Sequence, residues 1–296
     1  MIADGEGKGD QTLNPKTYDN IAYSAKNFTM RHQGKYAAAF ADGHVEMRSD
    51  PAWKFATKLW MDAAKIPSSA TIDNYITSGE TWPNSSIDPD YASNKVVGGG
   101  GYGFMNYSST GMNGQPGVQG GWSRAGASSY TGPVRTVVCA CTLLASGGYQ
   151  SLCGAKPSNT NFESAYILGT ANGYLRFDVD AVTGTISCWA PQSLVDPNHV
   201  FVLAGRIGNG KIELFLNGKR VASNTYTTQI ADPDPAGPAF IVGNYSASGD
   251  STKCTNGWAG YLGDAVLFDT TIGDAELQDV TNYLKAKYAV GKEKDQ

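Results

Sequence analysis

The sequence predicts an all-β sandwich that ends in one short helix. Its 296 residues include 36 glycines and 16 tyrosines, a composition unlike that of a helical bundle. Residues 261–268 are almost continuously apolar, as in a strand that is buried on both faces. In residues 274–288, apolar side chains recur at three- and four-residue spacing, which is typical of an amphipathic helix. The side chains on this helical face are Leu277, Val280, Leu284 and Tyr288.

The middle of the chain carries the clearest strand and turn patterns. Asn209-Gly210 and Asn217-Gly218 each interrupt strand-like residues, and this dipeptide favours the type I′ turn of a tight hairpin. We therefore expect three successive antiparallel strands here. Residues 77–133 are rich in Gly, Ser, Asn and aromatic residues, which predicts loops interleaved with short strands. The other predicted strands cover residues 136–144, 165–169, 175–179, 186–190, 200–206 and 211–216.

The first fifty residues differ from the rest and are predicted to form a small β-hairpin segment. Alternating residues predict short strands at 27–32 and 37–47. Asp42-Gly43 provides either a second turn or a bulge within the longer strand. Asp50-Pro51 marks the predicted boundary, because a residue before proline avoids the helical conformation. The predicted domains are therefore residues 1–50 and one sandwich over residues 51–296.

Several phrases of the sequence resemble those of the laminin-G and concanavalin-A-like family of secreted and surface proteins. The resemblance runs from about Lys58 to Tyr288 and implies a jelly-roll β-sandwich of the concanavalin-A-like lectin type. The matching phrases are Lys58-Leu-Trp-Met-Asp-Ala63, Trp258-Ala-Gly-Tyr-Leu-Gly-Asp264, Phe268-Asp269, Asp274-Ala-Glu-Leu277 and Tyr283-Leu-Lys-Ala-Lys-Tyr288. Asp264 matches an acidic position of the family's last strand, and its place in the alternation predicts an internal hydrogen-bonding role.

A second resemblance lies in the first fifty residues. His32 is followed by nine residues and then Asp42-Gly43, within a phrase that runs from Arg31 to Val45. This resembles the C-terminal segment of bacterial prepilin-type proteins, including pseudopilins. The resemblance implies a pilus-like or type II secretion-like assembly at the cell surface as one setting for the chain.

Charge and hydropathy exclude some partners. The formal net charge of -4 and the pI near 5.4 argue against nucleic acid, which binds concentrated basic surfaces. No apolar run approaches the roughly 20 residues that a membrane-spanning helix needs. Residues 1–7 do not resemble a signal peptide, so an export signal is expected to be missing from this sequence. We expect an extracellular or cell-surface location.

The five cysteines leave two interpretations open. Cys139 and Cys141 are two residues apart in a predicted strand, so they share a face and cannot easily bridge each other. Cys153, Cys188 and Cys254 lack the paired spacing of a zinc site. The cysteines are either buried thiols that pack as small apolar side chains, or include one long-range disulfide that uses Cys254.

Catalytic motifs are not apparent in the sequence. Retaining glycosidases need two carboxyl groups about 5 Å apart, and no Glu-x-Asp-x-x-Glu strand is present. Asp178-Val-Asp180 places two carboxylates on one face, where a turn or a cation site is the favoured interpretation. No Gly-x-Ser-x-Gly motif is present either. We therefore do not predict an enzyme.

Aromatic residues in loop-like sequence are the candidate ligand-binding groups. Aromatic rings stack on the apolar faces of sugars, while Asn, Asp and backbone groups bond to the hydroxyls. The candidates in Gly- or Ser-rich context are Trp82, Tyr102, Tyr107, Trp122, Tyr130 and Tyr245. Trp60, Trp189 and Trp258 are instead assigned to the core. The family resemblance also implies rim calcium, for which the candidate ligands are Asp178, Asp180, Asp232 and Asp234.

Three functions follow from these patterns. The first is a non-catalytic extracellular recognition or adhesion module whose partner is a polysaccharide or glycoconjugate. The alternative is a structural subunit of a pilus-like or secretion-like surface assembly, which would self-associate through exposed sheet edges. The third is a glycoside hydrolase whose carboxylate pair the sequence does not reveal.

Overall fold

The structure is a computed structural model, and twenty strands and two α-helices lie in the residues that it describes. Those residues are 2–3, 11–12, 36–39, 45–48, 53–66, 81–86, 95–97, 105–120, 126–128, 130–144, 148–155, 165–233, 235, 240–242 and 258–291. The strands are β1 (Ile2–Ala3), β2 (Gln11–Thr12), β3 (Tyr36–Ala39), β4 (Val45–Arg48), β5 (Leu59–Asp62), β6 (Thr81–Pro83), β7 (Lys95–Val97), β8 (Met105–Met112), β9 (Gln115–Gly120), β10 (Gly126–Ser128), β11 (Thr136–Cys141), β12 (Tyr149–Ala155), β13 (Tyr166–Ala171), β14 (Tyr174–Ala181), β15 (Gly184–Pro191), β16 (Phe201–Gly208), β17 (Lys211–Leu216), β18 (Lys219–Thr225), β19 (Ile241–Val242) and β20 (Tyr261–Phe268). The helices are α1 (Trp53–Ala56) and α2 (Asp274–Lys287).

Two large antiparallel sheets form the sandwich, which confirms the predicted all-β fold class. The front sheet has the strand order β15-β14-β13-β12-β19-β10-β7-β6. The back sheet has the order β18-β17-β16-β11-β20-β9-β8, and β5 also pairs with β20. The described residues add two small antiparallel pairs, β1 with β2 and β3 with β4.

The central strands of the back sheet are buried on both faces, as the sequence predicts for residues 261–268. In β20, Ala265 and Leu267 face the core between the sheets, whereas Val266 and Phe268 face the outer side of the back sheet. The neighbouring strand β11 alternates in the same way. Because side chains alternate along a strand, a continuous apolar run is compatible only with burial on both sides.

Helix α2 covers the outer face of the back sheet. The four residues of its predicted apolar face, of which Tyr288 directly follows the helix, are buried against Val138, Val202 and Phe268. Asp274 and Glu276 lie in the first turn and Lys285 and Lys287 in the last, so the charges complement the helix dipole. Among the described residues, no helix covers the outer face of the front sheet. Large side chains on that face can therefore remain exposed.

Both Asn-Gly steps form the predicted hairpin turns. Asn209 and Gly210 have φ values of 52° and 70°, and Asn217 and Gly218 have values of 52° and 85°. Positive φ at both central residues is the signature of the type I′ turn. These turns join β16 to β17 and β17 to β18 in antiparallel register.

Substituting Gly218 with alanine is expected to lower the free energy of unfolding by about 1–2 kcal/mol. The residue has a positive φ, and an added Cβ would lie 2.8 Å from Oε1 of Gln278. The matched variant is Gly210→Ala, where φ is also positive but the nearest atom is 3.4 Å from the added Cβ. Urea unfolding should show similar losses for the two variants, because the exposed end of Gln278 can move away from the added Cβ; wild-type stability in both would contradict the role of positive φ.

In two regions the structure differs in detail from the sequence predictions. In the Gly-rich stretch of residues 77–133, β8 is eight residues long rather than a short strand. In the N-terminal segment, β3 and β4 are two separate strands that pair in antiparallel register, where the sequence predicted one strand over residues 37–47. The predicted strand at residues 27–32 lies outside the described residues, and the division at residue 50 stays a prediction.

Four of the cysteines are free and buried, which agrees with the interpretation that they pack as apolar side chains. They are Cys139, Cys141, Cys153 and Cys188. The Sγ atoms of Cys139 and Cys153 lie 3.9 Å apart across the two sheets. Burial raises the pKa of Cys141 and Cys153 well above the usual thiol value, so neither is a reactive thiolate. Cys254, the candidate for a disulfide, lies outside the described residues.

Candidate functional site

The side chains of strand β14 alternate between the core and the outer face of the front sheet. Leu175, Phe177 and Val179 belong to the core between the sheets. The intervening residues, Tyr174, Arg176, Asp178 and Asp180, therefore point to the opposite face. The prediction that Asp178 and Asp180 face the same way is consistent with this arrangement.

Cross-strand pairing gathers aromatic residues from three strands on this outer face. Tyr149 of β12 pairs with Ala171 of β13, which pairs in turn with Tyr174 of β14. In the next row, Arg176 pairs with Trp189 of β15. Directly paired residues of antiparallel strands lie on the same face, so these side chains form one continuous surface.

We call the group of Tyr149, Tyr174 and Trp189 the aromatic platform. Their exposed fractions are 45%, 43% and 40%, respectively, which is unusual for large apolar side chains within strands. The rings of Tyr174 and Trp189 lie with centroids 5.7 Å apart at an interplanar angle of 31°. The platform thus offers ring surface that the protein's own packing leaves partly free.

A buried ion pair between Arg176 and Asp178 contacts two rings of the aromatic platform. Nη1 of Arg176 lies 2.9 Å from Oδ2 of Asp178, and the two side chains are 8% and 5% exposed. Nε1 of Trp189 donates a 2.8 Å hydrogen bond to Oδ1 of Asp178, while the ring of Tyr149 lies 5.2 Å from the Arg176 guanidinium carbon. These contacts fix the Trp189 and Tyr149 rings relative to each other, as binding sites require.

The Arg176 guanidinium is not fully satisfied by the described residues. Its Nε is buried and donates to no described side chain or backbone atom. Buried donors in folded proteins are nearly always paired with protein or water, so an orphan of this kind needs an explanation. Because this nitrogen is buried, a ligand on the exposed rings would reach it only if the surrounding side chains moved.

The structure places three of the six sequence-predicted ligand residues away from the aromatic platform. Trp82 is fully buried and its Nε1 donates a 2.8 Å hydrogen bond to the carbonyl oxygen of Asp62. Tyr130 is also buried, and its hydroxyl donates to the carbonyl oxygen of Pro133. Tyr107 is half-buried against the core between the sheets. None of these three belongs to the aromatic platform, and the remaining candidates, Tyr102, Trp122 and Tyr245, lie outside the described residues.

Trp189 was assigned to the core from the sequence, and that assignment is wrong. The ring is 40% exposed, whereas Trp60 and Trp258 are buried as predicted. The sequence feature that indicates exposure of Trp189 is the alternation along β15. Ile186, Cys188 and Ala190 face the core. Trp189 shares the outward phase with Thr185 and Ser187. The hydrophobicity of tryptophan outweighed this alternation in the sequence-based assignment.

Neighbouring side chains already contact the three predicted calcium ligands that the structure describes, Asp178, Asp180 and Asp232. Arg176 and Trp189 each direct a donor at the Asp178 carboxylate, and Thr185 donates to Oδ1 of Asp180. Asp232 is paired with Arg135 at 2.7 Å, and Asp234 lies outside the described residues. Among the described residues, no group of three or more His, Cys, Asp or Glu could hold a metal ion. We therefore do not extend the calcium hypothesis to Asp178 and Asp180.

Among the described carboxylates, Asp264 has the pKa that is raised most clearly, and it lies near the end of helix α2, away from the platform. Asp264 is fully buried and accepts hydrogen bonds from Tyr288 at 2.7 Å and from Lys287 at 2.8 Å. Nε1 of Trp60 lies 3.2 Å from the other carboxylate oxygen. Burial raises the pKa of Asp264 to about 6, and nearby Lys287 limits the shift. The predicted internal hydrogen-bonding role of Asp264 is confirmed.

Asp264 is expected to make the protein more stable at pH 5 than at pH 7, by about 1 kcal/mol. Its folded-state pKa of about 6 exceeds the ordinary value of 3.8, so the folded state binds a proton that the unfolded chain releases. This contribution is complete below pH 3.8 and is lost as the pH rises through 6. Chemical unfolding at both pH values measures it. Asp264→Asn should remove the difference, and an unchanged difference in that variant would assign it to another group.

Comparison with a protein-family model concerns the part of the chain that carries the platform. Residues 143–278 match the Laminin_G_3 model, described as the concanavalin A-like lectin/glucanases superfamily. The match covers less than half of the chain, and residues 143–278 are therefore similar to this superfamily. The matched segment includes Tyr149, Tyr174, Arg176, Asp178 and Trp189. The superfamily contains both lectins and glycoside hydrolases, so the similarity alone does not decide between binding and catalysis.

Two solved structures illustrate the similarity of this chain to known proteins. A Trypanosoma rangeli sialidase in complex with 2,3-difluorosialic acid has a TM-score of 0.55 and 12% identity, covering 94% of this chain and 40% of the sialidase chain. A Ruminococcus gnavus IT-sialidase CBM40 bound to sialyllactose has a TM-score of 0.41 and 16% identity, covering 51% of this chain and 84% of that chain. At such low identity, the likeness to the Trypanosoma structure shows the fold alone.

No curated protein gives a match at the level required for significance. Among the described residues, no helix has the length and apolar character needed to cross a membrane. Neither observation identifies a ligand. The aromatic platform and its polar neighbours are therefore the features that bear on function.

Proposed function

We propose that this chain is a non-catalytic extracellular recognition module that binds carbohydrate on the aromatic platform. The observation that carries the proposal is the clustering of three exposed aromatic rings around a buried Arg176–Asp178 pair. This cluster lies within the segment that is similar to the concanavalin A-like superfamily and on the sheet face that no described helix covers. Lectins are among the proteins for which the superfamily is named.

The ring geometry fits the apolar face of a sugar. Pyranose rings present C–H groups that pack on aromatic faces, and tryptophan and tyrosine provide such faces with little loss of side-chain entropy. Tyr149 and Tyr174 lie on strands separated by one other strand, so their backbones are about 10 Å apart. The residue between them is the small Ala171. Ala171 is itself buried, so the exposed ring surfaces, rather than the gap between them, are available to a ligand.

The polar groups fit the hydroxyls of the same ligand. Each oxygen of the Asp178 carboxylate accepts one described side-chain hydrogen bond, which leaves lone pairs that can accept from a hydroxyl. Arg176 carries further N–H groups besides the one directed at Asp178, although its Nε–H is buried and is not within reach of the ligand. Asn172, whose Nδ2 lies 3.3 Å from the Tyr149 hydroxyl, adds an exposed amide beside the platform.

The environment of the carboxylates favours binding over hydrolysis. Asp178 and Asp180 are 4% and 3% exposed, and both accept hydrogen bonds from neighbouring side chains. A general acid or nucleophile of a glycosidase must instead contact the scissile bond. The surface-assembly alternative rests on the prepilin-like phrase around His32 and Asp42, which lies largely outside the described residues and stays a prediction.

A glycan array tests the proposal directly. We expect saturable binding of the purified chain to at least one glycan class, and a loss of about tenfold in affinity for Tyr174→Ala. Val182→Ala is the matched control, because Val182 is also exposed but lies at the far end of the β14–β15 hairpin. Its affinity should equal that of the wild type. A folded chain that binds no glycan would contradict the proposal, and shortening of a bound glycan would contradict its non-catalytic part.

A further inference from the structure

We infer that the aromatic platform binds a glycan as an extended chain of several sugar residues that lies across strands β12 to β15, rather than as a single sugar. This inference rests on the proposed function and specifies the class of its ligand. The exposed rings are distributed over these strands, and a buried ion pair holds them apart.

The rings of the platform span four neighbouring strands. Tyr149 lies on β12, Tyr174 on β14 and Trp189 on β15, and β13 separates β12 from β14. Neighbouring strands of a sheet are about 4.8 Å apart, so the backbones of Tyr149 and Trp189 are about 14 Å apart across the sheet. A single sugar ring is much smaller than this span.

The Arg176–Asp178 pair lies between the two ends of the platform. The guanidinium carbon of Arg176 is 5.2 Å from the Tyr149 ring, whereas Asp178 accepts the 2.8 Å hydrogen bond from Trp189. Arg176 reaches Tyr149 from β14 by crossing β13, where its paired residue is Gly169, which has no side chain to block the crossing. The side chains of the ion pair are 8% and 5% exposed, so they are fixed by packing. The pair therefore keeps the Tyr149 and Trp189 rings apart.

The platform thus has two contact regions. Tyr174 and Trp189, with ring centroids 5.7 Å apart, form one region, and Tyr149 forms the other. A single sugar stacked on Trp189 lies beyond contact distance of Tyr149, because packed heavy atoms approach within about 4 Å. A chain that reaches both regions gains the second contact as an intramolecular event. The exposed amide of Asn172, whose Nδ2 lies 3.3 Å from the Tyr149 hydroxyl, can bond to a sugar hydroxyl at this second region.

The experiment measures how affinity depends on chain length. Oligosaccharides of one to six residues are prepared from cellulose, β-1,3-glucan, chitin, xylan, mannan and galactan, and each is titrated into the purified chain by calorimetry. In a series that binds, affinity should rise at least about thirtyfold from the shortest to the longest member. This rise exceeds the statistical gain that a longer chain obtains by offering more equivalent positions.

Variants of Tyr149 assign the length dependence to the second contact region. Tyr149→Ala should reduce the ratio of the two affinities by about tenfold. Tyr149→Phe keeps the ring and should retain most of the ratio. Val182→Ala is the matched control at an exposed position far from the rings, and its ratio should equal that of the wild type.

The outcomes separate this inference from the proposed function. A monosaccharide that binds as tightly as the longer chains, with binding lost in Tyr174→Ala, would overturn the extended ligand while supporting binding on the platform. A ratio unchanged in a folded Tyr149→Ala variant would overturn the second contact region. Binding to array glycans but to no member of these six series would overturn the inference and leave the proposed function standing. A folded wild type that binds no glycan at all would overturn both.

Discussion

Replacing Lys287 with methionine is expected to lower the free energy of unfolding by about 3 kcal/mol, because it removes one partner of a buried ion pair. Nζ of Lys287 lies 2.6 Å from Asp62 and 2.8 Å from Asp264, and it is the cation that holds these two carboxylates together. Asp264 is fully buried, so water cannot replace the lost charge. Methionine keeps the packing volume of the lysine chain and thus isolates the electrostatic contribution.

Lys285→Met is the matched control for this prediction. Lys285 lies in the same last turn of α2, but no ion pair of its side chain is found among the described residues. Its replacement removes an equal charge from the helix C-terminus, with an expected cost below about 1 kcal/mol. Urea unfolding at pH 7 compares the variants. The deficit of Lys287→Met should shrink at pH 5, because protonation of Asp264 removes the unpaired charge. Equal stabilities of the two variants would contradict the account of the buried pair.

Replacing Trp189 with alanine is expected to weaken glycan binding about thirtyfold, an effect typical of a central aromatic contact. The substitution removes the ring that packs against Tyr174 at 5.7 Å, and it also removes the donor that holds Asp178 at 2.8 Å. Stacking surface and ion-pair orientation are therefore lost together. The variant should remain folded, but its melting temperature should fall modestly, because the buried Asp178 carboxylate loses one hydrogen bond and part of the ring is buried.

Trp189→Phe separates the two contributions of this side chain. Phenylalanine retains an aromatic face but has no N–H to donate to Asp178, so we expect an intermediate loss of about three- to tenfold. Isothermal titration with the best glycan of the array measures both variants. Wild-type affinity in Trp189→Ala would exclude the platform as the binding site. Equal losses in the alanine and phenylalanine variants would show that the hydrogen bond, rather than the ring face, carries the effect.

The fold could be predicted from the sequence where local patterns determine the structure. Burial of β20 on both faces follows from its continuous apolar run, and the buried face of α2 follows from the spacing of Leu277, Val280 and Leu284. The hairpins at Asn209-Gly210 and Asn217-Gly218 follow from the backbone preference of that dipeptide. Each of these features depends on residues within one or two turns or strands.

The candidate site depends on long-range contacts that local composition does not report. Trp82 lies in a loop-like sequence, yet its indole is held by the carbonyl oxygen of Asp62, twenty residues earlier in the chain. Tyr149 joins the platform because β12 pairs with β13, a strand that follows it by more than ten residues. Trp189 is different, since the alternation within β15 already places it with the polar residues of that strand.

The most direct test of the carbohydrate-binding platform is an NMR titration of the ¹⁵N-labelled chain with the glycan that binds most strongly on the array. We expect the indole N–H signal of Trp189 to shift with saturation, together with backbone amides of β12, β13, β14 and β15. Indole signals of the buried Trp60, Trp82 and Trp258 should stay in place. Saturable shifts that leave Trp189 and these four strands unaffected would contradict the assignment of the platform as the glycan-binding site.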